Sequence, residues 1–203
     1  MRIVLASSSK RRIELLRKFV SDLIVIPPST SEIILNDPIK TVYENSKNKV
    51  LSVYDKTPHN SIIIGADTVV YNSEVGVIGK PASLAEARSI LEKLRGKTHL
   101  VITGVYTLSK PDRRPYFFYE KSLVKFRDFS DEELSLYIAS LEPLGKAGGY
   151  AIQGLASIFV EEIRGDFFNI VGLPISKLYR VLKRVYGIDL LEYAVRDRVV
   201  AKR

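Results

Sequence analysis

The sequence predicts an α/β fold with a mixed sheet, and three observations carry that reading. Ile62-Ile63-Ile64-Gly65-Ala66-Asp67-Thr68-Val69-Val70 is apolar on both faces, as in a central strand of a covered sheet. Apolar runs of strand and helix type alternate along the chain without a regular βαβ period. Helix start and stop signals fall between them: Ser83 to Glu86 and Ser130 to Glu133 read as capping boxes, and Pro174 and Gly187 bracket a final amphipathic helix. Asp67 interrupts the central run. It either ends the strand and caps a turn, or it is a buried carboxylate that needs a cation, a metal ion or donors.

In order, Ile3-Val4-Leu5 reads as a short strand broken by Ser7-Ser8-Ser9. A helix follows with Ile13, Leu16, Phe19 and Val20 on one stripe. Its first turn holds Lys10, Arg11 and Arg12, which oppose the helix dipole unless an anion arrives. Strand, serine turn and cationic helix start make a phosphate-binding arrangement, or else a plain exposed helix start. It is not a P-loop, because the chain has no G-x-x-x-x-G-K-[ST]. Leu23 to Ile26 is a second strand, stopped by Pro27-Pro28, and the loop after it carries Glu32.

From Pro38 a helix runs to about Tyr54, with Val42, Ser46 and Val50 on one face, Lys49 at its edge and Lys47 pointing away. After the central strand come a hairpin-like stretch, Tyr71 to Ile78, and Gly79-Lys80-Pro81. The helix opened by Ser83 ends at Gly96. Leu100 to Leu108 and Ser122 to Phe126 read as strands, with a loop from Pro111 to Pro115. The helix opened by Ser130 stops near Pro143, and the glycine-rich stretch from Glu142 to Gly154 reads as a mobile loop beside a site, ahead of a strand from Ile158 to Ile163.

The length of 203 residues suits one large domain, or two small lobes sharing a core. With 46% hydrophobic and 27% charged residues the chain reads as soluble and globular, and no apolar run is long enough to span a membrane. The N-terminus lacks a signal-peptide pattern, so a cytoplasmic location is expected. There are no cysteines, which excludes disulfides, thiolate metal sites and cysteine nucleophiles. Two histidines, His59 and His99, argue against a histidine metal centre or a Ser-His-Asp triad. A metal, if used, would be a hard cation on carboxylates and phosphates. The net charge of +8 indicates an anionic partner. No zinc-finger spacing or basic tract supports nucleic acid, and a phosphorylated small molecule fits the charge. The basic end, Arg196 through Arg198 to Lys202 and Arg203, reads as a solvated surface or frayed tail.

Six stretches carry a resemblance. Leu5 to Leu16, Gly65 to Val70, Gly79-Lys80-Pro81, Thr103-Gly104-Val105, Gly148 to Gly154 and Asn169 to Pro174 resemble, in order, the motifs of the Maf family of nucleoside triphosphate pyrophosphatases. The resemblance extends to about Gly187. It implies a single Maf-type domain over residues 1–203, an inosine-triphosphatase-like α/β fold with two lobes around a cleft, and a homodimer. It implies hydrolysis of a nucleoside triphosphate substrate to the monophosphate and pyrophosphate with a divalent cation, Mg²⁺ or Mn²⁺, and no nucleic acid or membrane partner. The family's catalytic aspartate falls on Asp67, its phosphate-contacting serine and arginine on Ser7 and on Arg11 or Arg12, and its lysines on Lys49 and Lys80. The acidic residue of the second loop falls on Glu32. The subgroup acting on dTTP and UTP is marked by residues that fall on Arg11, Thr68 and Gln153. Lys10 stands where the family usually has proline, and Val50 where alanine is usual.

The expected chemistry follows. Asp67 with Glu32 holds the metal and orients or deprotonates a water that attacks the α-phosphorus, while Arg11, Arg12, Lys49 and Lys80 stabilise the triphosphate. Gln153 offers a donor and an acceptor to a pyrimidine edge. Two other readings remain at this point, a broader enzyme acting on modified nucleotides and a non-catalytic regulator of cell division.

Overall fold

The computed structural model describes residues 1–195 in full and the helical backbone of 196–200. Of the basic end singled out in the sequence, the side chains of Arg196 and Arg198 and the whole of residues 201–203 lie outside the described residues. One seven-stranded mixed sheet organises the chain. Strand β1 (Arg2–Ala6) leads through α1 (Lys10–Arg17) to the short β2 (Ile24–Val25), and α2 (Pro38–Val53) leads on to β3 (Ser61–Asn72). Then come β4 (Gly76–Ile78), α3 (Leu84–Leu94), β5 (Thr98–Lys110), β6 (Pro115–Phe126), α4 (Asp131–Ala139), β7 (Val160–Arg164), α5 (Phe167–Val171), α6 (Ile175–Tyr186) and α7 (Leu190–Val200). The strand order is β2-β1-β3-β5-β6-β7, with β4 beside β3. β1 pairs in parallel with β2 and β3, and the remaining pairs are antiparallel. Among the described residues no helix is long and apolar enough to cross a membrane.

β3 is central, as its apolar run requires, and both faces are covered. Ile62, Ile64, Ala66 and Val70 join the large core with Leu16, Leu91 and Leu182. Ile63 and Val69 pack on the opposite face, against Val50 and Val42 of α2. By the same alternation Asp67 faces α2 and Thr68 faces α1. Asp67 does not end the strand, which continues for five residues to Asn72 with Asp67 paired to Gly104.

α2 starts at Asp37, whose carboxylate accepts from Ile39 N (2.7 Å) and Lys40 N (3.1 Å), with Pro38 at the first helical position. It sits unusually close to the sheet. A Cβ at Gly65 would lie 2.6 Å from Ser46 O, and one at Gly104 2.6 Å from a Val42 methyl. These glycines therefore set the height of α2 above β3 and β5.

The pairing leaves one edge of β3 open. β1 ends where Ala6 meets Gly65, and β4 begins where Ile78 meets Val70. Between them, among the described residues, Ala66 to Val69 have no paired strand on that side. The gap lies beyond the carboxyl end of β1, where α1, which follows β1, and α2, which follows β2, pack on opposite faces of the sheet, the kind of crevice where ligands bind in open α/β sheets.

Several elements differ from expectation. β5 and β6 form one long hairpin, with β6 starting at Pro115 and not at Ser122. The expected strand from Ile158 is a 3-10 turn over Leu155–Phe159 followed by β7. α5 has five residues, too few to show a helical repeat; only Asp166, which caps it, was a local signal. Ser130 and Glu133 form a full capping box, but at Ser83 only half forms, because Glu86 turns to Ala82 N (2.7 Å).

Candidate active site

A cavity of about 740 Å³ fills the gap beside β3, within the usual range for small-molecule sites. Ser7, Arg11, Arg12, Glu32, Lys49, Asp67, Thr68 and Lys80 all line it.

At its floor two acids share one cation. Lys49 Nζ, on a residue only 6% exposed, donates to Asp67 Oδ1 at 2.6 Å, Glu32 Oε1 at 2.8 Å and Ala66 O at 3.3 Å. Its three donors are thus fully used. Lys80 Nζ, more exposed, also reaches Glu32 Oε1 (2.7 Å). Asp67 is 3% exposed. Its second oxygen accepts from Asn45 Nδ2 at 2.9 Å. Burial works against the charge on Glu32, but Lys49 and Lys80 outweigh it and hold the carboxyl well below the usual range.

Arg12 crosses to the other face of the sheet. Its Nε donates to Gly172 O (2.7 Å) and its Nη2 to Thr68 Oγ1 (2.7 Å). Thr68 and Thr103 hydroxyls lie 2.9 Å apart, and Thr103 donates to Asn169 O at 2.8 Å. Since the Thr103 proton is spent on Asn169, Thr68 must be the donor between the two threonines. The network therefore runs one way, from Arg12 through Thr68 and Thr103 to Asn169. Burial lowers the pKa of Arg12, against the attraction of Asp67 and Glu32. Arg11 lies farther out, where burial lowers its pKa and Glu142 opposes the shift. Ser7 Oγ accepts from Ser9 N (3.1 Å) and holds the turn that delivers both arginines.

The glycine-rich stretch forms the far wall, where Gly145, Lys146, Ala147, Tyr150, Ala151 and Ile152 line the cavity. It is tied down at several points, with Gly148 N on Gly79 O (2.9 Å) and the Glu142 carboxylate accepting from Tyr137 Oη (3.2 Å) and Leu155 N (3.0 Å). Tyr150 packs on Phe126 and bonds His99 Nε2 at 2.8 Å.

Gln153 departs from expectation. It is exposed and is not part of the cavity wall. Gly154 N bonds Ala151 O (3.0 Å), closing a turn that turns Ala151 and Ile152 inward and leaves Gln153 at its outer corner. Sequence reasoning missed Lys146 and Asn45. Lys146 stands in the quoted loop and joins Lys10, Arg11, Arg12, Lys49 and Lys80 as a sixth basic residue on the cavity wall. Asn45 lies four residues before Lys49, and that spacing was the only available signal.

The Maf-like protein family model matches residues 2–185. The dTTP/UTP pyrophosphatase of Staphylothermus marinus is 58% identical over 200 residues, 98% of this chain and 97% of that protein. Proteins of the same name from Dictyoglomus thermophilum and Thermosipho melanesiensis are 44% identical over 192 residues and 45% over 183. These cover 93% and 90% of this chain and 98% and 97% of their own. The solved structure of the Staphylococcus aureus Ham1 protein matches 63% of this chain and 73% of its own at 19% identity and a TM-score of 0.45. The chain belongs to the Maf-like family.

Proposed function

We propose that this member of the Maf-like family is a nucleoside triphosphate pyrophosphatase that hydrolyses dTTP and UTP to the monophosphate and pyrophosphate. The observation that carries the reading is the Glu32–Lys49–Asp67 cluster at the floor of a cation-lined cavity. The names of the relatives supply the nucleotides.

Arg11, Lys80 and Lys146 face the cavity from three segments and suit a triphosphate chain. Asp67, fixed through both oxygens, orients the attacking water. As the water oxygen bonds to the α-phosphorus, the α–β anhydride bond breaks, the proton passes to Asp67 or solvent, and pyrophosphate leaves. Preset cations meet the charge that develops on the phosphate oxygens.

Glu32 and Asp67 supply hard oxygen donors and fit a divalent cation, Mg²⁺ or Mn²⁺. Such a cation would be held by these one or two carboxylates together with substrate phosphates. When bound, it supplies further charge neutralisation on the triphosphate. Gln153 would serve base recognition only if the turn at Ala151 to Gly154 opens. The same reading takes the protein as a cytoplasmic homodimer, which sedimentation of the purified chain tests.

Asp67→Asn tests the assignment. Turnover should fall by about 10²- to 10⁴-fold with nucleotide binding retained. A variant that keeps wild-type turnover overturns it.

A further inference from the structure

Asn45 is not itself a reacting group, yet the residue is 2% exposed and its carboxamide makes three bonds of 2.9 Å. One amide hydrogen goes to Asp67 Oδ2 and the other to Ile33 O, while Oδ1 accepts from Ile33 N. Neither a carboxylate nor a carbonyl can donate, so these partners permit one orientation of the amide.

The neighbours on α2 repeat the pattern. One turn earlier, Thr41 Oγ1 accepts from Leu35 N (3.0 Å) and lies 3.2 Å from Leu35 O. One turn later, Lys49 holds Glu32. Thr41, Asn45 and Lys49 stand at i, i+4 and i+8, one polar stripe on the helix. It grips residues 32–35, a segment outside every strand whose Ile33, Ile34 and Leu35 side chains are exposed. With little apolar burial and no sheet ladder, that segment is held by the stripe, with Lys80 bonding Glu32 from outside it.

We propose that Asn45 is a positioning residue for pyrophosphate release, setting the separation of Asp67 and Glu32 by holding the strand carboxylate and the backbone beside Glu32 with one amide. The inference rests on the pyrophosphatase reading. Lys49 supplies charge to both acids, but a single ammonium on a flexible stem tolerates a range of separations. The planar amide does not.

The test is a double-mutant cycle on dTTP hydrolysis, using Asn45→Leu, which nearly preserves volume, Glu32→Gln, and the two combined. Asn45→Leu should lower kcat by about 100-fold, as expected for a catalytic group displaced by about 1 Å, with KM within about threefold of wild type. The double variant should lose less than the product of the two single losses, because the amide acts through the spacing of Asp67 and Glu32, which matters only while the Glu32 carboxylate is present. A merely structural residue would lower the melting temperature and give multiplied losses. If Asn45→Leu does not fold, Asn45→Ser enters the same cycle. Multiplied losses, or wild-type kcat in the Asn45 variant, overturn this inference alone. A wild-type protein that releases no pyrophosphate overturns the underlying reading as well.

Discussion

Gly65→Ala is expected to disable the site through the helix above it. The added methyl would lie 2.6 Å from Ser46 O and 2.6 Å from a Val50 methyl carbon. Ordinary contact near about 3.5 Å requires α2 to retreat locally by roughly 0.9 Å. Ser46 adjoins Asn45 and lies one turn before Lys49, so the retreat strains the 2.6 Å Lys49–Asp67 and 2.9 Å Asn45–Asp67 bonds together. Overpacking of this kind costs about 1–3 kcal/mol, or roughly 2–12 °C in melting temperature for a chain of this size. Displacing a catalytic group by about 1 Å costs about 100-fold in rate. Thermal unfolding and steady-state pyrophosphate release on the same preparation read both effects. A variant destabilised as expected but with wild-type kcat would refute the link between the seat of α2 and the site.

Lys49→Met keeps the stem but leaves Asp67 and Glu32 facing each other without their shared cation, at a cost of about 3–5 kcal/mol in urea unfolding at neutral pH; a loss below about 1 kcal/mol would contradict the assigned geometry. His99 gives a pH effect of defined sign. Burial lowers its pKa from 6.5 to about 4, so between those values the unfolded chain binds more protons and stability falls as pH drops. The full stability is present above pH 6.5, and about 3 kcal/mol is lost by the time His99 protonates in the fold. His99→Gln should lack this slope when urea midpoints are compared at neutral and mildly acidic pH. Equal losses in variant and wild type would remove His99 as the cause.

What was legible in the sequence was what short-range chemistry dictates. The run around Asp67 required a covered central strand, and the serine turn before Arg11 and Arg12 marked a helix start, which the structure places on the cavity wall. The missing parts depend on partners distant in sequence. Asn45 looks like any polar helix residue until β3 and the segment after β2 close on it. Gln153 shares a glycine-rich loop with residues that face inward, and only the turn at Gly154 decides which ones do. The strand β6 was read short because Tyr116 to Lys121 mix polar and aromatic residues and lack clean alternation. The five-residue α5 has no periodicity to detect.

The most direct measurement is pyrophosphate release from dTTP, UTP, CTP, 7-methyl-GTP and ITP, each with Mg²⁺ or Mn²⁺. Turnover of dTTP and UTP is expected to stand well above the others. Turnover led by another base would keep the Asp67 chemistry and contradict the substrate assignment. No pyrophosphate from any of the five would contradict the central claim.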